Sequence, residues 1–149
     1  MKILLTAINA KYIHSNLGIY SLKAYGEKIL REQFGDSNRE ELSDRMVQIE
    51  LAEYTINQPI GQILQDLYRR KPDIIGFSCY IWNIAYVREL LADVKKVLPD
   101  VQIWMGGPEV SYDVSKTLQE NPVVDLVMKG EGEETFAQLL ENCVRAGGD

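Results

Sequence analysis

Ile103-Trp-Met-Gly-Gly-Pro-Glu109 reads as a buried parallel strand that stops at a Gly-Gly pair, on the side where such sheets bind ligands. Upstream, Ile74-Ile-Gly-Phe-Ser-Cys-Tyr80 ends in the same way, with a hydroxyl in place of the glycines. A small polar group at one strand end, beside a ledge without side chains at the next, suits a large, flat ligand lying close to backbone. Glycine permits that approach because it has no Cβ. The plainer alternative is that these glycines turn the chain, so the surrounding pattern decides.

That pattern alternates. Lys2 to Ile8 reads as a first strand, and Gly18 to Phe34 as a helix with Leu22, Tyr25, Ile29 and Leu30 on one face. The polar stretch from Gly35 to Asp44 reads as a surface loop. Met46 to Leu51 alternates apolar and polar, as expected of a strand near a sheet edge. A second helix is predicted from Gln58, with Pro59 in its first turn. Asp73 to Tyr80 is apolar throughout and is expected to be covered on both faces. Asn83 is placed to cap a third helix bearing Val87, Leu90, Leu91 and Val94. Val101 to Met105 makes strand four, Ser111 to Glu120 a short helix, and Val123 to Met128 strand five. Phe136, Leu139, Leu140 and Val144 mark a last amphipathic helix.

Strands and helices in this alternation, with short connections, predict an α/β domain. The expected architecture is a doubly wound, five-stranded parallel sheet in the flavodoxin-like (Rossmann-like) order 2-1-3-4-5, with helices on both faces. Its ligand crevice then lies at the carboxyl ends of strands one, three and four. With 149 residues, 46% apolar and 26% charged, the chain is expected to form one domain with a substantial core. A net charge of −6 without a Lys/Arg cluster excludes a nucleic-acid face. Arg69-Arg-Lys71 reads instead as a helix end. No segment approaches the about 20 apolar residues of a membrane span. Cys79 follows a buried strand and reads as a reduced thiol in a cytoplasmic protein. The closing Ala-Gly-Gly-Asp149 reads as a domain boundary.

Several groups gather at the predicted crevice. The loop Asn9-Ala-Lys-Tyr-Ile-His-Ser-Asn-Leu-Gly18 carries the single histidine, His14. An imidazole there could ligate a metal or bond a ligand; otherwise it bonds backbone while Ser15 or Asn16 caps the next helix. Ser78 either bonds an inserted heterocycle or satisfies the end of the sheet. Tyr80, Ile81 and Trp82 either wall a planar ligand or meet another domain. Lys129-Gly-Glu-Gly-Glu-Glu134 opens the last helix, where its glutamates suit the positive end of the macrodipole. No nucleophile, base and acid combine into a catalytic set.

Taken in order, Asn9-Ala-Lys-Tyr-Ile-His-Ser-Asn-Leu17, Gly76-Phe-Ser-Cys-Tyr-Ile-Trp82, Gly106-Gly-Pro-Glu-Val110 and Gly130-Glu-Gly-Glu133 resemble one family. It is the N-terminal cobalamin-binding domain of B12-dependent radical SAM proteins, a group that includes relatives of anaerobic magnesium-protoporphyrin IX monomethyl ester cyclase. The resemblance spans essentially all 149 residues. It implies that Ser78 hydrogen-bonds the dimethylbenzimidazole of the cofactor tail, with Tyr80 where the family has Leu. It implies that Gly106 and Gly107 pass close to that tail, so that Gly107→Val should block it. It puts Gly130, Glu131 and Gly132 near the cofactor or the next domain.

The departure lies in the first loop. The family's Asp-x-His-x-x-Gly, with its histidine on cobalt, corresponds here to Tyr12-Ile-His-Ser-Asn-Leu17. Tyr12 replaces the carboxylate that would orient the imidazole, and Leu17 replaces the glycine. His14 is therefore either an axial cobalt ligand or a contact or structural residue. The resemblance also implies a C-terminal radical SAM domain in the same polypeptide, holding S-adenosylmethionine and a 4Fe–4S cluster. The 149 residues alone would then bind cobalamin and catalyse nothing, while the longer protein would perform methyl transfer or other radical chemistry. A second hypothesis is a docking domain of the same fold that has lost tight cobalamin binding and uses Tyr80, Trp82 and Tyr112. A flavin or signalling domain is disfavoured, because Ser78 and Cys79 stand where a receiver needs its phosphoacceptor Asp.

Overall fold

The computed structural model describes residues 1–10, 16–34, 47–130 and 132–147. Along the chain run β1 (Lys2–Asn9), α1 (Leu17–Phe34), β2 (Gln48–Thr55), α2 (Ile60–Arg70), β3 (Ile74–Ser78) and α3 (Ile84–Val97). They are followed by β4 (Gln102–Gly106), α4 (Pro108–Ser111), α5 (Val114–Glu120), β5 (Leu126–Val127) and α6 (Glu133–Gly147). The sheet has five strands in the order β2-β1-β3-β4-β5, every neighbouring pair parallel. That is the predicted order.

Alternation along each strand divides the core in two. Leu4, Ile8, Ile75, Phe77 and Ile103 point to one face, where α2 and α3 cover them. Ile3, Leu5, Ala7, Ile74 and Trp104 point to the other and meet Ile19 of α1 with Phe136 and Leu140 of α6. Near-total burial of β1, β3 and β4 is what a parallel sheet covered on both sides requires. Gly26 lets α1 and α6 approach closely, since a Cβ there would lie 2.6 Å from Leu140 Cδ1. Among the described residues, no helix is long and apolar enough to cross a membrane.

Some boundaries differ from the sequence expectation. β2 reaches Thr55 rather than Leu51, because all eight of its residues pair in register with β1. β5 shrinks to two residues. The backbone before it is spent on a turn, Val124 N–H to Asn121 O, and on one bond from Asp125 N–H to Ile103 O. The short helix divides at Tyr112, and Asp113 caps its second half by accepting from Lys116 N–H at 3.0 Å. The stretch 35–44, expected as a surface loop, lies outside the described residues.

Asn83 corrects a prediction more fully. It occupies the N-cap position of α3 but makes no side-chain cap bond. Its amide is fully buried, donates to Ile8 O at 3.0 Å and Ser78 O at 2.9 Å, and accepts from Tyr80 N–H at 2.8 Å. Buried backbone groups where strands end need partners. Asn83 supplies three and ties the tips of β1 and β3 together.

Candidate functional site

At the carboxyl edge, a cavity of about 540 Å³ opens between the sheet and the pair α1 and α6. Register sets its floor. Leu5 lies opposite Gly76, which lies opposite Trp104; one step nearer the mouth, Ala7, Ser78 and Gly106 are abreast. All six side-chain directions belong to the α1 and α6 face, so the two glycines are gaps in an otherwise filled row. A Cβ on Gly76 would sit 3.1 Å from Leu5 Cδ2, and one on Gly106 would sit 3.2 Å from Met128 Cε. These two absences keep a slot open in what would otherwise be core.

The rest of the lining comes from four segments. Gly18, Ile19 and Leu22 of α1 form one wall, and Gly130, Gly132 and Glu133 form the rim before α6. Ser111 closes the far side, where its hydroxyl donates to Gly107 O at 2.7 Å. Tyr80 stands at the mouth and stacks on Trp82, with ring centroids 4.5 Å apart and planes 6° from parallel. A Cβ on Gly18 would lie 3.6 Å from the Tyr80 hydroxyl, so the tyrosine reaches from the tip of β3 to the start of α1.

Ser78 is half-buried within the slot, and its Oγ accepts from Asn16 Nδ2 at 3.3 Å. Asn16 also caps α1, Oδ1 accepting from Ile19 N–H at 3.3 Å. Glu53, on the edge strand, holds the entry to that helix. Its carboxylate accepts from Asn16 N–H at 2.8 Å, Asn9 Nδ2 at 3.3 Å and the Tyr20 hydroxyl at 2.9 Å. Cys79, one residue past Ser78, faces the opposite core. Burial pushes its thiol up to about 12, which leaves it protonated and inert at neutral pH.

Ser78, Tyr80, Gly106, Gly107, Gly130 and Gly132 therefore meet around one cavity. Tyr12, His14 and Glu131 lie outside the described residues. Gly107 lines the slot with φ +107°, and a Cβ there would lie 2.5 Å from Cys79 O. A larger residue at 107 would first strike the backbone of Cys79, one residue past β3. Gly76, Asn16, Met128 and Ser111 were not singled out as site residues from sequence. A glycine inside an apolar strand was the available signal for the first. Among the described residues, no group of three or more His, Cys, Asp or Glu could hold a metal ion.

The lining offers the hydroxyls of Ser78, Tyr80 and Ser111, mostly apolar walls and exposed backbone: a receptacle for a planar, largely apolar group with few hydrogen-bonding atoms. The chain is 36% identical over 70 residues to the cobalamin-dependent radical SAM methyltransferase TokK of Streptomyces tokunonensis, a match covering 47% of this chain and 10% of that protein. It is 25% identical over 91 residues to the anaerobic magnesium-protoporphyrin IX monomethyl ester cyclase of Cereibacter sphaeroides, covering 61% of this chain and 14% of that one. Its fold superposes on the cobalamin-dependent S-adenosylmethionine radical enzyme OxsB, solved with aqua-cobalamin and S-adenosylmethionine bound. That match has a TM-score of 0.67 at 22% identity and covers 95% of this chain and 18% of OxsB. The family model of the B12 binding domain matches residues 3–140, nearly the whole sheet and its helices, and the chain therefore belongs to that family.

Proposed function

We propose that this domain binds cobalamin, with the nucleotide tail inserted in the slot between the sheet and the pair α1 and α6. The observation that carries the reading is the cradle of Gly76 and Gly106 on either side of Ser78. Two missing side chains open space beside a hydroxyl, and a Cβ at either glycine would fill it. In this reading Ser78 bonds the dimethylbenzimidazole, Gly76 and Gly106 accept its plane, and Tyr80 walls the mouth. Gly107 holds the ledge in position, while Gly130, Glu131 and Gly132 border the cofactor. By the family resemblance Tyr12 and His14 would also serve the cofactor, with His14 the candidate axial ligand to cobalt. Bound cobalamin would supply cobalt-centred methyl-transfer or radical chemistry.

The chain spans 10% and 14% of the lengths of the two curated relatives described above. The whole protein's reaction is therefore a further part of the proposal. By analogy with those relatives, we assign a C-terminal radical SAM domain in the same polypeptide, where S-adenosylmethionine and a 4Fe–4S cluster would be held. A cytoplasmic setting accords with the buried free thiol of Cys79.

Purified protein mixed with hydroxocobalamin is expected to retain it through gel filtration and to alter its visible spectrum. Retention no greater than that of an unrelated acidic protein would overturn the reading. His14→Ala then tests ligation: a changed spectrum in the bound state assigns His14 to cobalt, and an unchanged one removes it. A second reading, docking without tight cofactor binding, draws on one observation. Ile81, Trp82 and Tyr112, next to or stacked on the lining residues Tyr80 and Ser111, are 78%, 49% and 91% exposed. It would be favoured by failed retention together with normal folding.

A further inference from the structure

The amide of Asn16 has only one orientation that its neighbours permit. A backbone N–H, that of Ile19, lies 3.3 Å from Oδ1, and an N–H donor requires an acceptor. The other end of the amide must then be the NH₂ group, and it lies 3.3 Å from Ser78 Oγ. The usual ambiguity between the two ends of an asparagine side chain is thus removed by the helix cap. Asn16 is 8% exposed, and its own N–H is held at 2.8 Å by Glu53, so it cannot readily swing away.

A serine hydroxyl has one proton to give and lone pairs to receive with. Receiving from Asn16 leaves the Ser78 proton uncommitted, and among the described residues it is donated to no other group. We propose that Asn16 is a positioning residue that fixes Ser78 as a donor into the slot, so that the site selects a base presenting a ring-nitrogen lone pair. This rests on the cobalamin reading and deepens it. Leu5, Ile19 and Met128 line the slot with apolar surface, the Ser111 proton goes to Gly107 O, and Glu133 at the rim accepts from the Ser21 hydroxyl. The preferred tail is accordingly a neutral, apolar bicyclic base with a single acceptor nitrogen turned towards Ser78.

The test compares two corrinoids on the same protein: hydroxocobalamin, and cobinamide, which has the corrin ring but no nucleotide base. Asn16→Asp keeps an oxygen for the Ile19 cap but presents an acceptor to Ser78, which then gives its proton to the introduced carboxylate. Cobalamin affinity is expected to fall roughly tenfold while cobinamide affinity changes less than about twofold. Ser78→Ala should give a similar loss, and the double variant no more than Ser78→Ala alone. Asn16→Ser keeps a capping oxygen, adds no charge and is too short to reach Ser78; it should lower the cobalamin-to-cobinamide ratio by about threefold. Thermal melts accompany each titration, because a merely structural role for Asn16 would lower stability and weaken both corrinoids together. That result, or an unchanged ratio in either folded variant, overturns the inference while leaving the cobalamin reading intact. Wild-type protein that binds neither corrinoid overturns both.

Discussion

Gly107 packs directly onto the backbone of Cys79: a Cβ at 107 would meet the Cys79 carbonyl oxygen at 2.5 Å and its nitrogen at 2.9 Å. The Gly-Gly pair therefore divides its labour. Gly106 faces the slot, where the atom nearest to an added Cβ is the mobile methyl of Met128, whereas Gly107 faces rigid main chain at φ +107° and ψ 171°.

This division predicts opposite outcomes for two adjacent substitutions. Gly107→Ala should cost about 3 kcal/mol of stability, from a backbone conformation nearly reserved for glycine and a clash that cannot relax. Gly106→Ala should cost about 1 kcal/mol or less because Met128 can move, yet it should weaken cobalamin by roughly tenfold. Urea unfolding and a hydroxocobalamin titration on both variants check the pair. Equal stability losses would show that the two positions do the same work.

Gly76 lies deeper in the slot and gives a cleaner steric test. Gly76→Val puts β-branched bulk against Leu5 Cδ2, a side-chain end 3.1 Å from the new Cβ. Valine suits a strand but overpacks against Leu5, so stability should fall by about 1–3 kcal/mol. Cobalamin binding should fall by roughly tenfold or more, with cobinamide binding spared. If both corrinoids bind the variant as tightly as wild type, the tail lies somewhere else.

Ser78 and Gly106 were legible because each punctuates a strand end, where a doubly wound sheet binds ligands. Gly76 was not, since one glycine within an apolar run reads equally as ordinary core. Asn83 misled because occupying a cap position and using the side chain as a cap are separate events. Burial gave its amide better partners in the carbonyls of Ile8 and Ser78. β2 was underestimated at Glu53 and Thr55, whose polarity resembles a loop although both pair in the ladder. The Asn16–Ser78 bond joins residues 62 apart, and no local pattern announces it.

The thiols supply a probe of the same region. Cys79 is fully buried with its acidity suppressed to about 12, while Cys143 is half-buried and shifted upward by burial to a lesser degree. Only thiolate alkylates efficiently. With iodoacetamide at pH 8, mass spectrometry should record one adduct, at Cys143, until denaturant releases the second. Gly107→Ala should make Cys79 react under native conditions, because it disturbs the main chain on which that residue sits. Early labelling of Cys79 in wild type would contradict this burial.

The edge strand that carries Glu53 is anchored on its other face by Tyr54, whose hydroxyl donates to Asp66. Arg70 Nε reaches the same carboxylate at 2.9 Å. Burial opposes ionisation of Asp66, but the bonds from Tyr54 and Arg70 outweigh it and hold the group below its usual 3.8. Tyr54, raised by burial and by this bond, stays a proton donor throughout the accessible range. A carboxylate with a depressed folded value adds stability above its unfolded value and loses it as pH falls through the folded one. Asp66 is 40% exposed, so solvent screening limits the contribution to about 1 kcal/mol. Asp66→Asn should therefore be less stable than wild type by about that much at pH 7, with the gap closing below about pH 4. Urea unfolding of both proteins at pH 7, 5 and 3 measures it. A gap that holds constant across the series would mean the carboxylate's charge contributes nothing to fixing β2, and so nothing to the strand on which Glu53 holds Asn16.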